Sequence, residues 1–188
     1  MKRNSFISTV MILAATPFLS YPQNRSYFQT NRKGFKIKSG EGRLHGHIKL
    51  KGVNQNILDL KVSGSDTDGG LAVFEQTSIS QGMGTPLHVH HSQNEMFCVI
   101  EGVYKFKVGK EEYELSAGDS IFLPEKIPHA WTQLSKKGKM TVIFQPAGKM
   151  EQFFVTVAAL DHEPSKSEMA QIFKSNDMEI VGPPLKLG

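Results

Sequence analysis

The chain has one cysteine, Cys98, among its 188 residues. An intramolecular disulfide is therefore excluded, and so is a cysteine-built zinc site. Long apolar runs are also missing. The longest, Phe6 to Leu19, is too short to span a bilayer comfortably and is interrupted by Pro17. With 39% hydrophobic residues overall, a membrane helix bundle is not expected. Acidic residues are absent from positions 1–40, which carry seven Lys or Arg. Positions 41–188 hold 15 basic and 18 acidic residues, so the body is mildly acidic despite the net charge of +4. No basic stripe interleaves with aromatic residues, so nucleic acid is not an expected partner. No internal repeat or low-complexity tract is visible.

The basic start has a use of its own. Lys2 and Arg3 precede the apolar stretch, and Ala14-Ala15 offer small residues for cleavage. Residues 1–20 read as a signal peptide, with export to the periplasm or outside the cell as the expectation and a cytoplasmic location as the alternative. No cysteine lies near this segment, so no stable membrane anchor is expected. Residues 21–43 read as an arm or linker. From Leu44 onward, short alternating runs separated by turn signals argue an all-β sandwich or barrel over residues 44–160. The period then changes. Met150 to Leu160 and Ser167 to Phe173 have helix-like apolar spacing, with Ser167 a candidate cap. Residues 161–188 are expected to form a helical tail on the barrel exterior or against a partner, with regular structure ending at Pro183-Pro184.

Four residues carry chemistry: His88, His90, Glu95 and His129. Three imidazoles and a carboxylate suit a divalent transition metal such as Fe, Mn, Ni, Cu or Zn. His88 and His90 are two apart on a run that reads as extended, so both side chains enter the same interior. Glu95 follows a polar break, Ser92-Gln93-Asn94, on the next apolar run. His129 follows Pro124 and Pro128. The same alternation sends Phe97 and Val99 inward with Glu95, and Trp131 and Gln133 inward with His129. These four are expected to line a substrate pocket around the metal. His91 alternates outward, His45 and His47 read as non-ligands, His162 reads as solvated, and Cys98 reads as a small buried hydrophobe.

The two runs resemble the two signature motifs of the cupin superfamily. The first fits at Gly82, His88, His90, Glu95 and Gly102; the second fits at Gly118, Pro124 and His129. It departs at Lys126, where the family usually has Gly, and at Gln133, where it usually has Asn. The resemblance implies a double-stranded β-helix, or jelly-roll barrel, with short C-terminal helices, a central metal and a homodimer. More narrowly, Gly118 to Pro124, Phe144-Gln145-Pro146-Ala147-Gly148 and Phe153-Phe154 resemble single-domain cupins that are quercetin 2,3-dioxygenase-like. That implies an oxygenase acting on a small flavonol-like or enediol-like molecule, with Glu95 as ligand, general base or both. Non-redox isomerase, hydrolase or lyase chemistry fits the same residues, as does a cupin that binds a small ligand without turnover.

Overall fold

In a computed structural model of the chain, residues 33–52 and 54–186 are described. The expected signal peptide, and the arm up to residue 32, lie outside them. Contacts divide the chain into Met1–Lys33 and Gly34–Gly188, and every described strand and helix belongs to the second unit.

Among the described residues, eleven strands and two α-helices succeed one another. The strands are β1 Ile48–Lys49, β2 Ile57–Val62, β3 Ala72–Ser78, β4 Pro86–His90, β5 Asn94–Glu101, β6 Val103–Val108, β7 Glu111–Ser116, β8 Ser120–Leu123, β9 His129–Gln133 and β10 Gly138–Gln145. Helices α1, Met150–Ala159, and α2, Lys166–Ser175, precede the last strand, β11, Met178–Pro184. One sheet has the order β1-β2-β3-β10-β5-β8 and the other β11-β4-β9-β6-β7. All strand pairs are antiparallel. This is the jelly-roll architecture that the resemblance implies, within the all-β class that the alternating runs imply.

Alternation sets the inside. On β3, Ala72, Phe74, Gln76 and Ser78 are buried, and on β10 Gly138, Met140, Val142 and Phe144. On β5 it is Glu95, Phe97 and Val99. Successive side chains on a strand point to opposite faces, so each strand gives the core every second residue. Cys98 accordingly faces away from Phe97 and is half-buried. Phe74 packs edge-on to Phe144 and Phe154, with centroids 6.0 and 5.0 Å away, which ties α1 to the barrel. At the other end Tyr104 donates to Ser78 Oγ at 2.9 Å, and burial pushes its phenol up to about 12. Gly102 closes the hairpin between β5 and β6 at φ +89°, where a Cβ would sit 2.6 Å from the Lys137 carbonyl oxygen. Only Gly fits there.

The tail corrects two expectations. Residues 161–188 are not helical throughout: after α2 the chain returns to the barrel as β11 and pairs with β4, Met178 opposite His90 and Ile180 opposite His88. Pro183 and Pro184 belong to this strand, which is tolerated because β11 is a sheet edge. Ser165 rather than Ser167 caps α2, its Oγ accepting from the Glu168 amide at 3.2 Å. Helices α1 and α2 pack Met150, Phe153, Phe154 and Val157, and Met169 and Phe173, into the core of the barrel.

Candidate metal centre

His88 and His90 project from β4, and His129 from the neighbouring strand β9, where it stands in register opposite His88. Glu95 comes from β5 in the facing sheet. One sheet thus supplies three imidazoles and the other a carboxylate. All four are buried, and their ligand atoms lie within 4.8 Å of one another. Among the described residues no other group of three or more such side chains is brought together.

Each imidazole is oriented through Nδ1. His88 Nδ1 donates to the Pro86 carbonyl at 2.8 Å, His129 Nδ1 to the Ile127 carbonyl at 3.0 Å, and His90 Nδ1 to Gln93 Oε1 at 3.2 Å. An oxygen acceptor at Nδ1 selects the Nδ1–H tautomer and leaves the lone pair on Nε2. Burial, reinforced by the neighbouring His129 and His90 rings, holds His88 well below the usual imidazole range. Burial lowers His90 as well, against the opposing pull of Glu95. Both rings are thereby kept in the form that binds a metal.

Glu95 Oε2 lies 3.2 Å from His129 Nε2 and 3.7 Å from His90 Nε2. Neither nitrogen makes a hydrogen bond, although both are fully buried. Lone pairs facing a carboxylate at these distances repel unless a cation lies between them. Donor atoms ~2.1 Å from one ion are ~3.0–3.4 Å apart in octahedral or tetrahedral arrangement, close to the separations seen. The donor set therefore fits a divalent transition metal, held by His88, His90, His129 and Glu95. When bound, the ion supplies a Lewis acid and a centre for redox chemistry.

A cavity of about 60 Å³ adjoins the ligands, with His88, His90 and Glu95 in its wall. Phe97 and Trp131 line it. Val99 and Gln133 do not, and here the expectation is corrected. Both point inward, but strands rise ~3.3 Å per residue, so Val99 sits ~13 Å along β5 from Glu95. Gln133 is saturated elsewhere: Oε1 accepts from the Ser80 amide at 3.1 Å, and Nε2 donates to the Ser78 and Ser135 carbonyls at 3.2 and 2.8 Å. It is a structural tie at the barrel end.

The rest of the wall escapes a reading of the sequence. Met150, Phe153, Phe154 and Val157 of α1 and Met169 and Phe173 of α2 roof the cavity. The Phe173 ring stands edge-on to His88, with centroids 5.5 Å apart. Asn54, Gln76, Thr85 and Lys51 add a few polar groups. The helix-like spacing after residue 150 is the available signal for the roof. Nothing in it says which surface that apolar face covers. The other histidines have local partners: His45 Nε2 meets Glu151 Oε1 at 2.9 Å, His47 Nδ1 meets Asp59 Oδ1 at 2.6 Å, and exposed His91 and His162 meet Glu179 and Glu168.

Comparisons with known proteins agree with this geometry. The profile of the cupin domain matches residues 76–145. Quercetin 2,3-dioxygenase of Bacillus subtilis (strain 168) is 26% identical over 140 residues, 71% of this chain and 39% of that one. An uncharacterised protein of Methanocaldococcus jannaschii is 35% identical over 48 residues, 26% of this chain and 38% of its own length. The chain thus spans about two-fifths of these relatives' lengths. The crystal structure of an RmlC-like cupin from Shewanella frigidimarina superposes with a TM-score of 0.51 at 18% identity, covering 63% of this chain and 96% of the other. That likeness carries the fold. Fold and site define a jelly-roll barrel with a buried His/Glu cluster suited to a metal. Residues 76–145 match the cupin domain, and both motif runs up to His129 lie within that segment.

Lys126, which replaces the usual motif glycine, adopts φ +64°. Its amide donates to the His90 carbonyl at 2.8 Å, so the turn into His129 is tied to the strand of the other ligands. A side chain in this conformation costs ~1–2 kcal/mol, partly offset in comparison with Gly by the freer unfolded chain that Gly brings. Lys126→Gly should stabilise the protein by about 1 kcal/mol in urea unfolding. A loss of stability would contradict the strain.

The lowered imidazoles set a pH dependence for the metal-free protein. Folded His88 and His90 titrate below their unfolded value of about 6.5, so the unfolded chain binds more protons beneath that pH. Stability should be full above about pH 6.5 and fall on acidification through the interval down to the folded values. Urea midpoints measured from about pH 7.5 to about pH 5 check this, and a midpoint rising with acid would refute it.

Proposed function

We propose that the chain is a metal-dependent enzyme acting on a small organic molecule, and that the reaction is an oxygenation of the quercetin-dioxygenase-like kind. The observation that carries the proposal is the meeting of three imidazoles and a carboxylate at the wall of an apolar, roofed cavity. Such a site excludes water and strengthens every electrostatic interaction inside it. The Bacillus relative supports the choice of oxygenase over other metal chemistry.

Cavity size supports the smaller end of the substrate range. About 60 Å³ corresponds to about two waters at the ~30 Å³ each takes in the liquid. An enediol of a few heavy atoms fits beside Glu95 with α1 and α2 in place. A three-ring flavonol requires the helices to move away. Glu95 Oε2 is placed to hold charge at the metal and to take a proton from an acidic hydroxyl of the substrate. The apolar ring of Phe97, Trp131, Phe153 and Phe173 packs the remainder. Export after removal of residues 1–20 and a homodimeric assembly belong to the same proposal.

The test is metal analysis of the purified protein followed by an oxygen-uptake screen over small enediols, enols and flavonols. The expected result is one divalent transition ion per chain and uptake with the smaller compounds. Glu95→Gln should keep the shape of the site and lower turnover ~10²–10⁴-fold if Glu95 moves the proton. Metal occupancy falling together with activity would make its role that of a ligand alone, without proton transfer. Turnover without oxygen consumption would replace oxygenation by isomerase or lyase chemistry.

A further inference from the structure

We infer that Gln93 is a positioning residue that couples the metal ligand His90 to the helical roof, so that ion binding and the seating of α1 favour each other. The inference rests on the assignment of His88, His90, His129 and Glu95 as metal ligands. Gln93 lies in the turn between β4 and β5, between His90 and Glu95, and is buried. Its Nε2 donates to the Pro146 carbonyl at 2.9 Å and the Ala147 carbonyl at 2.8 Å. Its Oε1 accepts from His90 Nδ1.

These contacts form a one-directional logic. Two carbonyl oxygens can only be met by the NH₂ end of the amide, so the oxygen end must face His90. An oxygen at Nδ1 requires a proton there, and the lone pair is left on Nε2, the atom that faces Glu95. His88 and His129 differ, because the carbonyls that orient them lie two residues before them on the chain. Only His90 among the three is oriented by a side chain, Gln93, that is itself held by the segment leading into the roof. Pro146 and Ala147 stand four and three residues before Met150, where α1 begins and where the cavity lining by the roof starts.

The packing around the amide is built for this arrangement. Gly148 holds φ +51°, and a Cβ there would lie 2.4 Å from Gln93 Nε2 and 2.6 Å from its Cδ. Any side chain at 148 would push the amide off its two carbonyls. A shift of α1 away from the mouth would break the same bonds and free His90 to rotate or change tautomer. Coupling of this kind is reciprocal: whatever the roof does to ion affinity, the ion does to the roof.

Two variants separate the halves of the inference. Gln93→Met keeps volume and removes all three hydrogen bonds. Gln93→Glu keeps an oxygen for His90 Nδ1 but turns the other end into an acceptor facing two carbonyls. The readouts are Ni²⁺ and Zn²⁺ affinity of the metal-free protein, by competition with a chromophoric chelator, and hydrogen exchange over residues 150–159 with and without the ion. In the wild type, ion loading should slow exchange in α1. Gln93→Met should bind either ion ~10–100-fold more weakly and lose that slowing. Gln93→Glu should bind within a few-fold of wild type yet show fast α1 exchange whether or not the ion is present. Such a split would not come from a residue that merely fills space. Gln93→Met binding as tightly as the wild type overturns the positioning role, and unchanged α1 exchange on loading the wild type overturns the coupling. A wild-type protein that binds neither ion overturns the metal assignment itself.

Discussion

The structure is organised around an electrostatic demand. Buried imidazole lone pairs point at a buried carboxylate, and the protein itself supplies nothing positive between them. Leaving such a group uncompensated costs free energy that a small barrel can ill sustain. A divalent ion would meet the demand, and the surrounding architecture keeps the demand in place. Nδ1 of each ring is held by an oxygen, burial keeps His88 and His90 uncharged, and the Glu95 carboxylate comes from the opposite sheet. The four side chains therefore bring the two layers to one point, where an ion would be held.

Around that point the chain is shaped to exclude water. Helices α1 and α2 return over the mouth and bring Phe153, Phe154, Phe173 and Met169 to the cavity. Strand β11 then pairs along β4, which backs the two histidines with a further ladder. The low dielectric this produces strengthens the interaction of Glu95 with a bound cation and limits what can enter.

Much of this is legible in the sequence, because strand periodicity is a strict rule. His88 and His90, two apart, must share a face, and Phe97 and Trp131 must accompany their ligands inward. The same rule selects Val99 and Gln133, and there it is insufficient: it reports the face of a residue but not how far along the strand the site extends. Nothing local announces that residues 178–184 pair with β4, since a partner about ninety residues away is chosen by the whole fold. The roof is visible as amphipathic spacing without a destination. Gln93 reads as no more than part of a polar break, because its role depends on two carbonyls that only the folded chain brings near. Lys126 is the reverse case. A departure from the motif marks the position, and the structure shows it in the left-handed conformation that a glycine adopts without strain.

The measurement that bears most directly on the central claim is X-ray absorption at the metal edge of the protein purified with its ion. The account requires one ordered shell at ~2.0–2.2 Å with the multiple-scattering signature of three imidazoles and one carboxylate oxygen. The imidazole signal should fall to two rings in His129→Ala. A shell of oxygen alone, or an imidazole signal that survives unchanged when His129 is removed, would contradict it.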